Sequence, residues 1–196
     1  MQGGTVMEKP LEIRWHGRGG QGAKTAALLF AESAIEEGKY SQGFPDYGPE
    51  RMGAPMRGFT RIDNKPIRIH SQITNPEIVA VLDQTLLDIV DVTEGLPEDG
   101  TIIINTSKKP EEIRKKLNLK GRKLCTVDAT KISLDTLGKD IPNTVMIGAI
   151  IRATEILDMK TLIHNIEKKF SKKYNKAVAE ANVKAINRAY DEVITE

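Results

Sequence analysis

The chain has 196 residues, of which 39% are hydrophobic and 29% charged, and its net charge is +2. This is the make-up of an ordinary soluble globular protein of one domain's size, which argues against disorder and gives no basis for nucleic-acid binding. No apolar run approaches the roughly 18 residues needed to span a bilayer. The one cysteine, Cys125, excludes an internal disulfide and cannot hold an iron–sulfur cluster, which normally takes four thiolates, so any such carrier is expected on another chain.

Residues 1–9, with Gly3, Gly4 and a second methionine at Met7, read as a loose leader. They lack the basic start and apolar core of a signal peptide, so a cytoplasmic protein with its folded domain over 10–196 is expected. Leu11, Ile13 and Trp15 alternate with polar neighbours and predict a first strand ending at Gly17. Ala23, Ala26, Ala27, Phe30, Ala31, Ala34 and Ile35 recur at spacings of three and four, which predicts an amphipathic helix ending at Gly38. Residues 40–58 hold three prolines and several glycines among aromatic and charged residues, and predict a largely irregular stretch. Its aromatics and methionines point to burial in the protein or against a partner rather than to disorder.

Phe59 and Ile62, then Ile67 and Ile69, flank Asp63-Asn64-Lys65-Pro66 and predict a hairpin. Ile78 to Leu82 is a continuous apolar run, as in a central strand covered on both faces. Strands are predicted at Thr101–Asn105 and Lys123–Asp128, with helices at Leu86–Val92 and Glu111–Leu117. From Thr144 the pattern is helical: Met146–Leu157, Thr161–Phe170 and Ala177–Thr195, the last burying Val178, Ala181, Ala185, Ile186, Ala189, Tyr190 and Val193. The fold class is therefore α/β: one Rossmann-like domain, a mixed, mostly parallel sheet with flanking helices and a helical C-terminal part. Lys168, Lys169, Lys172, Lys173 and Lys176 read as a solvated helix end.

The stretch from Gly17 to Gly22 joins strand to helix with four glycines in six residues, which admits positive φ angles and close approach of another group. Gly17, Gly19 and Gly22 match the dinucleotide fingerprint G-x-G-x-x-G in its strand-to-helix context. The fingerprint also needs an acid about twenty positions on, at the end of a second strand, and Lys39 to Phe44 has none. A Walker loop fails as well, because Ala23 separates the last glycine from Lys24 and turns it about 100° around the helix.

Two longer motifs go further. Trp15 to Thr25 (Trp-His-Gly-Arg-Gly-Gly-Gln-Gly-Ala-Lys-Thr) is followed by Gln42 to Met56 (Gln-Gly-Phe-Pro-Asp-Tyr-Gly-Pro-Glu-Arg-Met-Gly-Ala-Pro-Met) and by Phe59-Thr60-Arg61-Ile62. Together they resemble the gamma subunit of the 2-oxoacid:ferredoxin oxidoreductases, most of all the pyruvate and 2-oxoisovalerate types. The resemblance implies a part in a multi-subunit enzyme that oxidatively decarboxylates a 2-oxoacid, passes electrons to ferredoxin and captures the acyl group on coenzyme A. It implies alpha, beta and delta partner subunits, with thiamine diphosphate between alpha and beta and iron–sulfur clusters in beta and delta. Ferredoxin would be reached only indirectly, and this chain would have no redox centre and no cofactor of its own. It would help enclose coenzyme A at a shared site.

For a polyanionic coenzyme, the candidate binding residues are Gly17, Arg18, Gly19, Gly20, Gln21 and Gly22 with Arg51, and Lys24 is a further cation nearby. Two other readings stay open: a free-standing nucleotide-binding oxidoreductase, and a scaffold that binds nothing small. Phe44, Tyr47, Met52 and Met56 read as interface residues. His16, His70 and His164 have no ligand spacing, and no paired carboxylates suggest acid–base catalysis, so no metal or catalytic residue is assigned. Cys125, in an apolar strand, reads as an inert core residue.

Overall fold

The computed structural model describes residues 9–46 and 52–196. Strand β1 (Leu11–Arg18) runs into the glycine turn, and helix α1 (Ala23–Glu36) runs out of it. Gly22 starts the helix at φ 83°, and Gly38, at φ 78°, ends it by donating its N–H to Ile35. The buried face is as the spacing predicts except at Ile35, which is 54% exposed, and Leu29 is buried instead.

The chain then forms β2 (Tyr40–Pro45) and β3 (Pro55–Asp63), which pair antiparallel with Phe44 opposite Phe59. Most of the stretch expected to be irregular is thus strand, and residues 47–51 of the connection lie outside the described residues. Its glycines are there because α1 lies almost on the sheet. A Cβ at Gly43 would come 2.9 Å from the Ala27 carbonyl oxygen, and one at Gly58 would come 3.0 Å from that of Ala23.

β3 also pairs antiparallel with β1, from Leu11 opposite Ile62 to Arg18 opposite Pro55. With both edges of β3 occupied, the expected hairpin around Asp63-Asn64-Lys65-Pro66 cannot form, and Ile67 and Ile69 lie outside the sheet. The Arg61 guanidinium takes up this segment instead, donating to Ser71 O at 2.7 Å and pairing with Glu12 at 2.6 Å.

Strands β4 (Ile78–Val81), β5 (Thr101–Asn105) and β6 (Lys123–Val127) run parallel to β1, and a short β7 (Ile194–Thr195) closes the far edge antiparallel to β6. The sheet order is β2-β3-β1-β4-β5-β6-β7. Helix α2 (Pro110–Leu117) lies where expected. The predicted helix over Leu86–Val92 is a 3₁₀ turn at Gln84–Asp88, started by Asp83 accepting the Thr85 N–H, although Leu86, Leu87 and Val92 are buried as a helix face would be.

Helix α3 (Ala129–Leu137) was not predicted. The C-terminal helices are α4 (Asn143–Thr154), α5 (Met159–Lys173) and α6 (Lys176–Glu192). In α6, Ala185, Ile186 and Ala189 are buried as expected, but Ala179 and Asn182 take the places given to Val178 and Ala181. The lysine group lies on the exposed end of α5 and the start of α6. There, Lys168 and Lys169 pair with Glu36 and Glu32 of α1.

Two apolar clusters sandwich the sheet. On one face Ile13, Trp15, Ala80, Ile103 and Cys125 pack against α1, α3, α4, α5 and α6; on the other Val79, Val81, Ile102 and Ile104 pack against α2 and the segment after β4. Gly148 sets the closest approach of α4 to α6, since a Cβ there would lie 2.3 Å from the Ile186 carbonyl oxygen. Gly148→Ala is therefore expected to lower stability by about 1–3 kcal/mol through overpacking, read as a fall in the chain's thermal or urea midpoint. An unchanged midpoint would show that the helices part without cost.

Candidate functional site

β1, β4, β5 and β6 all end on one edge of the sheet, which brings Arg18, Asp83, Asn105 and Asp128 to the side where open parallel sheets bind ligands. The glycine turn sits on that edge, held by one carboxylate. Asp83 accepts from Gln21 Nε2 at 2.8 Å and Arg18 Nε at 3.2 Å through Oδ2, and from the Thr85 N–H and hydroxyl at 2.9 and 2.7 Å through Oδ1. Burial alone would raise its pKa. The hydrogen bonds from Thr85 and Gln21, with the Arg18 charge, outweigh that and hold it below the usual carboxylate value.

Gln21 Oε1 accepts the Arg18 N–H at 2.8 Å, so this one side chain folds the turn back on itself. The rest of the Arg18 guanidinium goes to Thr85 Oγ1 at 2.8 Å and the Gly53 carbonyl at 2.9 Å. Gly19 is stitched to the segment before β3 by two backbone bonds, to Ala54 O at 2.9 Å and from Gly53 N at 3.1 Å. Gly17 is buried inside β1, and Gly20, at φ 99°, is exposed with Met52 Sδ against it.

The structure therefore brings Gly17, Arg18, Gly19, Gly20, Gln21 and Gly22 together. Arg51, Tyr47 and most of the Phe-Pro-Asp-Tyr-Gly-Pro-Glu-Arg motif lie outside the described residues. Arg18 is committed to protein partners, while the N–H groups of Gly20, Gly22 and the first residues of α1 have no acceptor among the described residues. Asp83 carried one sign in the sequence, its place directly after an apolar strand. Nothing in the sequence paired it with Arg18, 65 positions away. The topology does not favour a dinucleotide site, because β2, the strand after α1, lies at the sheet edge and is separated from β1 by the antiparallel β3, while the acid at the end of the parallel neighbour β4, Asp83, is taken up by Arg18, Gln21 and Thr85.

A concavity of about 320 Å³ opens beside the turn, lined by His16, Asp46, Met56, Arg57, Asp91 and Glu94 among others. His16 is 5% exposed and its Nε2 accepts from Arg14 Nε at 3.0 Å. Burial, then the charges of Arg14 and Arg57, push its pKa down to about 3. Among the described residues no group of three or more His, Cys, Asp and Glu is placed to hold a metal ion. Cys125 is fully buried beside the Thr195 hydroxyl, and burial raises its thiol pKa, as an inert core residue requires.

The His16 arrangement has a readable pH dependence. The folded chain refuses a proton that the unfolded chain accepts near pH 6.5. This contribution to stability is therefore intact above that pH and is lost progressively as pH falls towards 3. In an NMR titration His16 should show a neutral imidazole throughout pH 5–8. A midpoint near 6.5 would contradict its bond to Arg14.

Residues 12–192 match the model of the family described as pyruvate ferredoxin/flavodoxin oxidoreductase. The chain is 50% identical over 188 residues to the pyruvate synthase subunit PorC of Thermotoga maritima, covering 96% of this chain and 97% of that protein. It is 50% identical over 181 residues to the common gamma subunit of the pyruvate/ketoisovalerate oxidoreductases of Pyrococcus furiosus, covering 92% and 96%. The crystal structure of pyruvate oxidoreductase subunit PORC from Thermotoga maritima has the same fold, with a TM-score of 0.84 at 45% identity over 96% of this chain and 99% of that one. A family match over nearly the whole length, on a sheet and glycine turn of this design, makes the chain a member of the pyruvate ferredoxin/flavodoxin oxidoreductase family, as a gamma subunit of a pyruvate/2-oxoacid:ferredoxin oxidoreductase.

Proposed function

We propose that this subunit packs against the alpha, beta and delta subunits of a cytoplasmic complex and supplies one wall of a shared coenzyme A site. The wall consists of the Gly17–Gly22 turn with Arg18 and Gln21 behind it, and Arg51. The observation that carries this reading is Met52, which stands 90% exposed on the same edge as the exposed Gly20. A large apolar side chain set in solvent beside backbone donors that have no acceptor among the described residues suits a surface that another chain covers around a polar ligand.

Within this reading the residues divide the work. Gln21 and Asp83 fix the shape of the turn, and Arg18 ties it to Thr85 and to the Gly53 carbonyl beside Met52. That leaves the backbone N–H groups and Arg51 to meet the coenzyme's phosphates. Thiamine diphosphate, between alpha and beta, and the iron–sulfur clusters of beta and delta would supply the decarboxylation and electron transfer to ferredoxin. This chain orients and encloses the acyl acceptor. The internal commitment of Arg18 favours a scaffolding role for that one residue.

The test is assembly followed by kinetics. Co-expressed with its partners, the chain should join their complex, and the complex lacking it should lose coenzyme A-dependent activity. In the assembled enzyme Arg51→Ala should raise the KM for coenzyme A about tenfold while leaving kcat and assembly nearly unchanged, as expected for loss of one charged phosphate contact. A change in assembly with no change in that KM would reduce the subunit to a scaffold.

A further inference from the structure

The two edges of the sheet are finished differently. At one, β7 is only Ile194–Thr195, too short to act as a template for a further strand. At the other, β2 runs Tyr40–Pro45 (Tyr-Ser-Gln-Gly-Phe-Pro) without a charged residue, and no strand lies on its outer side among the described residues. Native sheets usually blunt such an edge with charge or proline, because its unpaired backbone groups recruit another strand. Here only Pro45, at the very end, does so.

The ladder decides which groups of β2 are free. The Asp46 N–H donates to Arg57 O at 2.9 Å, so Phe44, Gln42 and Tyr40 turn their backbone groups to β3, and the alternate residues Ser41, Gly43 and Pro45 turn theirs outward. Pro45 has no N–H, and the N–H of Lys39 goes to Ala34 O at 3.0 Å. The outward donors are therefore Ser41 and Gly43, both half-buried, each with its own carbonyl beside it and no backbone partner on that side among the described residues. Helix α1 covers one face of the strand at Gly43, and the segment after β3 covers the other, where Gln42 Nε2 reaches Ile67 O at 3.5 Å. Neither makes a backbone bond to the edge.

This pattern is symmetric about Gln42. A second copy related by a two-fold axis at Gln42 sets Ser41 against Gly43 of that copy and Gly43 against its Ser41, each pair exchanging both backbone bonds, with no outward donor left over. In the same register Pro45 meets Lys39, so the match stops where the free donors stop, and the segment is its own complement in length as well as in pattern. The absence of charge leaves nothing to repel an identical strand. Ile35, just before the turn into β2, and Tyr40 at its start are 54% and 48% exposed, which gives the pair apolar surface to bury at each end.

We propose that β2 is a dimerisation edge, at which two copies of this chain pair antiparallel about Gln42 and join their sheets into one. The assignment does not rest on the coenzyme reading, since the Gly17–Gly22 turn takes no part in the pairing.

The full chain is followed by sedimentation equilibrium over a wide concentration range. A reversible monomer–dimer equilibrium is expected, with amide exchange at Ser41 and Gly43 slowing as the dimer forms. The two Gln42 side chains stand opposite one another at the axis, so Gln42→Lys and Gln42→Glu each set like charges face to face and should each raise the dimer dissociation constant roughly two- to fivefold. Mixed in equal amounts, the two variants should form a heterodimer at least as tight as the unaltered pair, which also shows that both are folded. A chain that stays monomeric at every concentration overturns the proposal and leaves the edge to a strand of another subunit. A dimer that both variants form unchanged, a mixture no tighter than its components, or exchange at Ser41 and Gly43 that is the same in monomer and dimer overturns it as well.

Discussion

One carboxylate holds the glycine turn of this protein in place. Asp83 ends the apolar run of β4 and accepts from Arg18 at the end of β1, from Gln21 in the glycine turn and from Thr85 at the start of the next turn. Arg18 then carries the connection to Gly53 across the sheet edge. Charge-assisted bonds of this kind are roughly twice as strong as neutral ones, and here they converge on a turn whose glycines supply no packing of their own. Without Asp83 the four glycines would have many conformations to choose from. With it, the turn is held in one shape by the bonds from Gln21 and Arg18.

The two faces of the sheet are held by different physics. One is covered by α1 and the C-terminal helices in an aliphatic core centred on α4. Over β1 and β3 the other face is covered by irregular chain tied down by two fully buried arginines. Arg14 donates to His16 Nε2 and to the carbonyls of Val92 and Glu94, and Arg61 pairs with Glu12 and caps Ser71 O. Burying guanidinium groups is expensive unless their donors are satisfied, and carbonyls in non-regular segments are the acceptors left to satisfy them. This explains why His16, next to the glycine turn, stays neutral: it accepts from a permanent cation and is shielded from water.

The sequence was legible where one signal sufficed. The alternation of Leu11, Ile13 and Trp15, the four glycines and the alanine stripe of α1 marked strand, turn and helix, and the run from Ile78 to Leu82 marked a central strand. It misled where residues answer to tertiary neighbours. Gly43 and Gly58 look like strand breakers, yet they are strand residues made small so that α1 can lie on them. The pattern of Ile67 and Ile69 resembled a strand, but β3 had no free edge to offer. Helix α3 carries little apolar periodicity and is marked chiefly by Asp128 at its start and Gly138 at its end. In the site, the turn itself could be read in advance. Asp83 could not, because its role depends on residues more than 60 positions away.

The central claim is that the glycine turn is a wall completed by other subunits. Amide hydrogen exchange over residues 19–25 and 52–54, compared between the free chain, the assembled complex and the complex with coenzyme A, tests it most directly. The account predicts slower exchange in these residues on assembly and a further slowing in residues 20–25 when coenzyme A binds. Exchange there that is the same in all three states, with protection confined to other surfaces of the subunit, would contradict it.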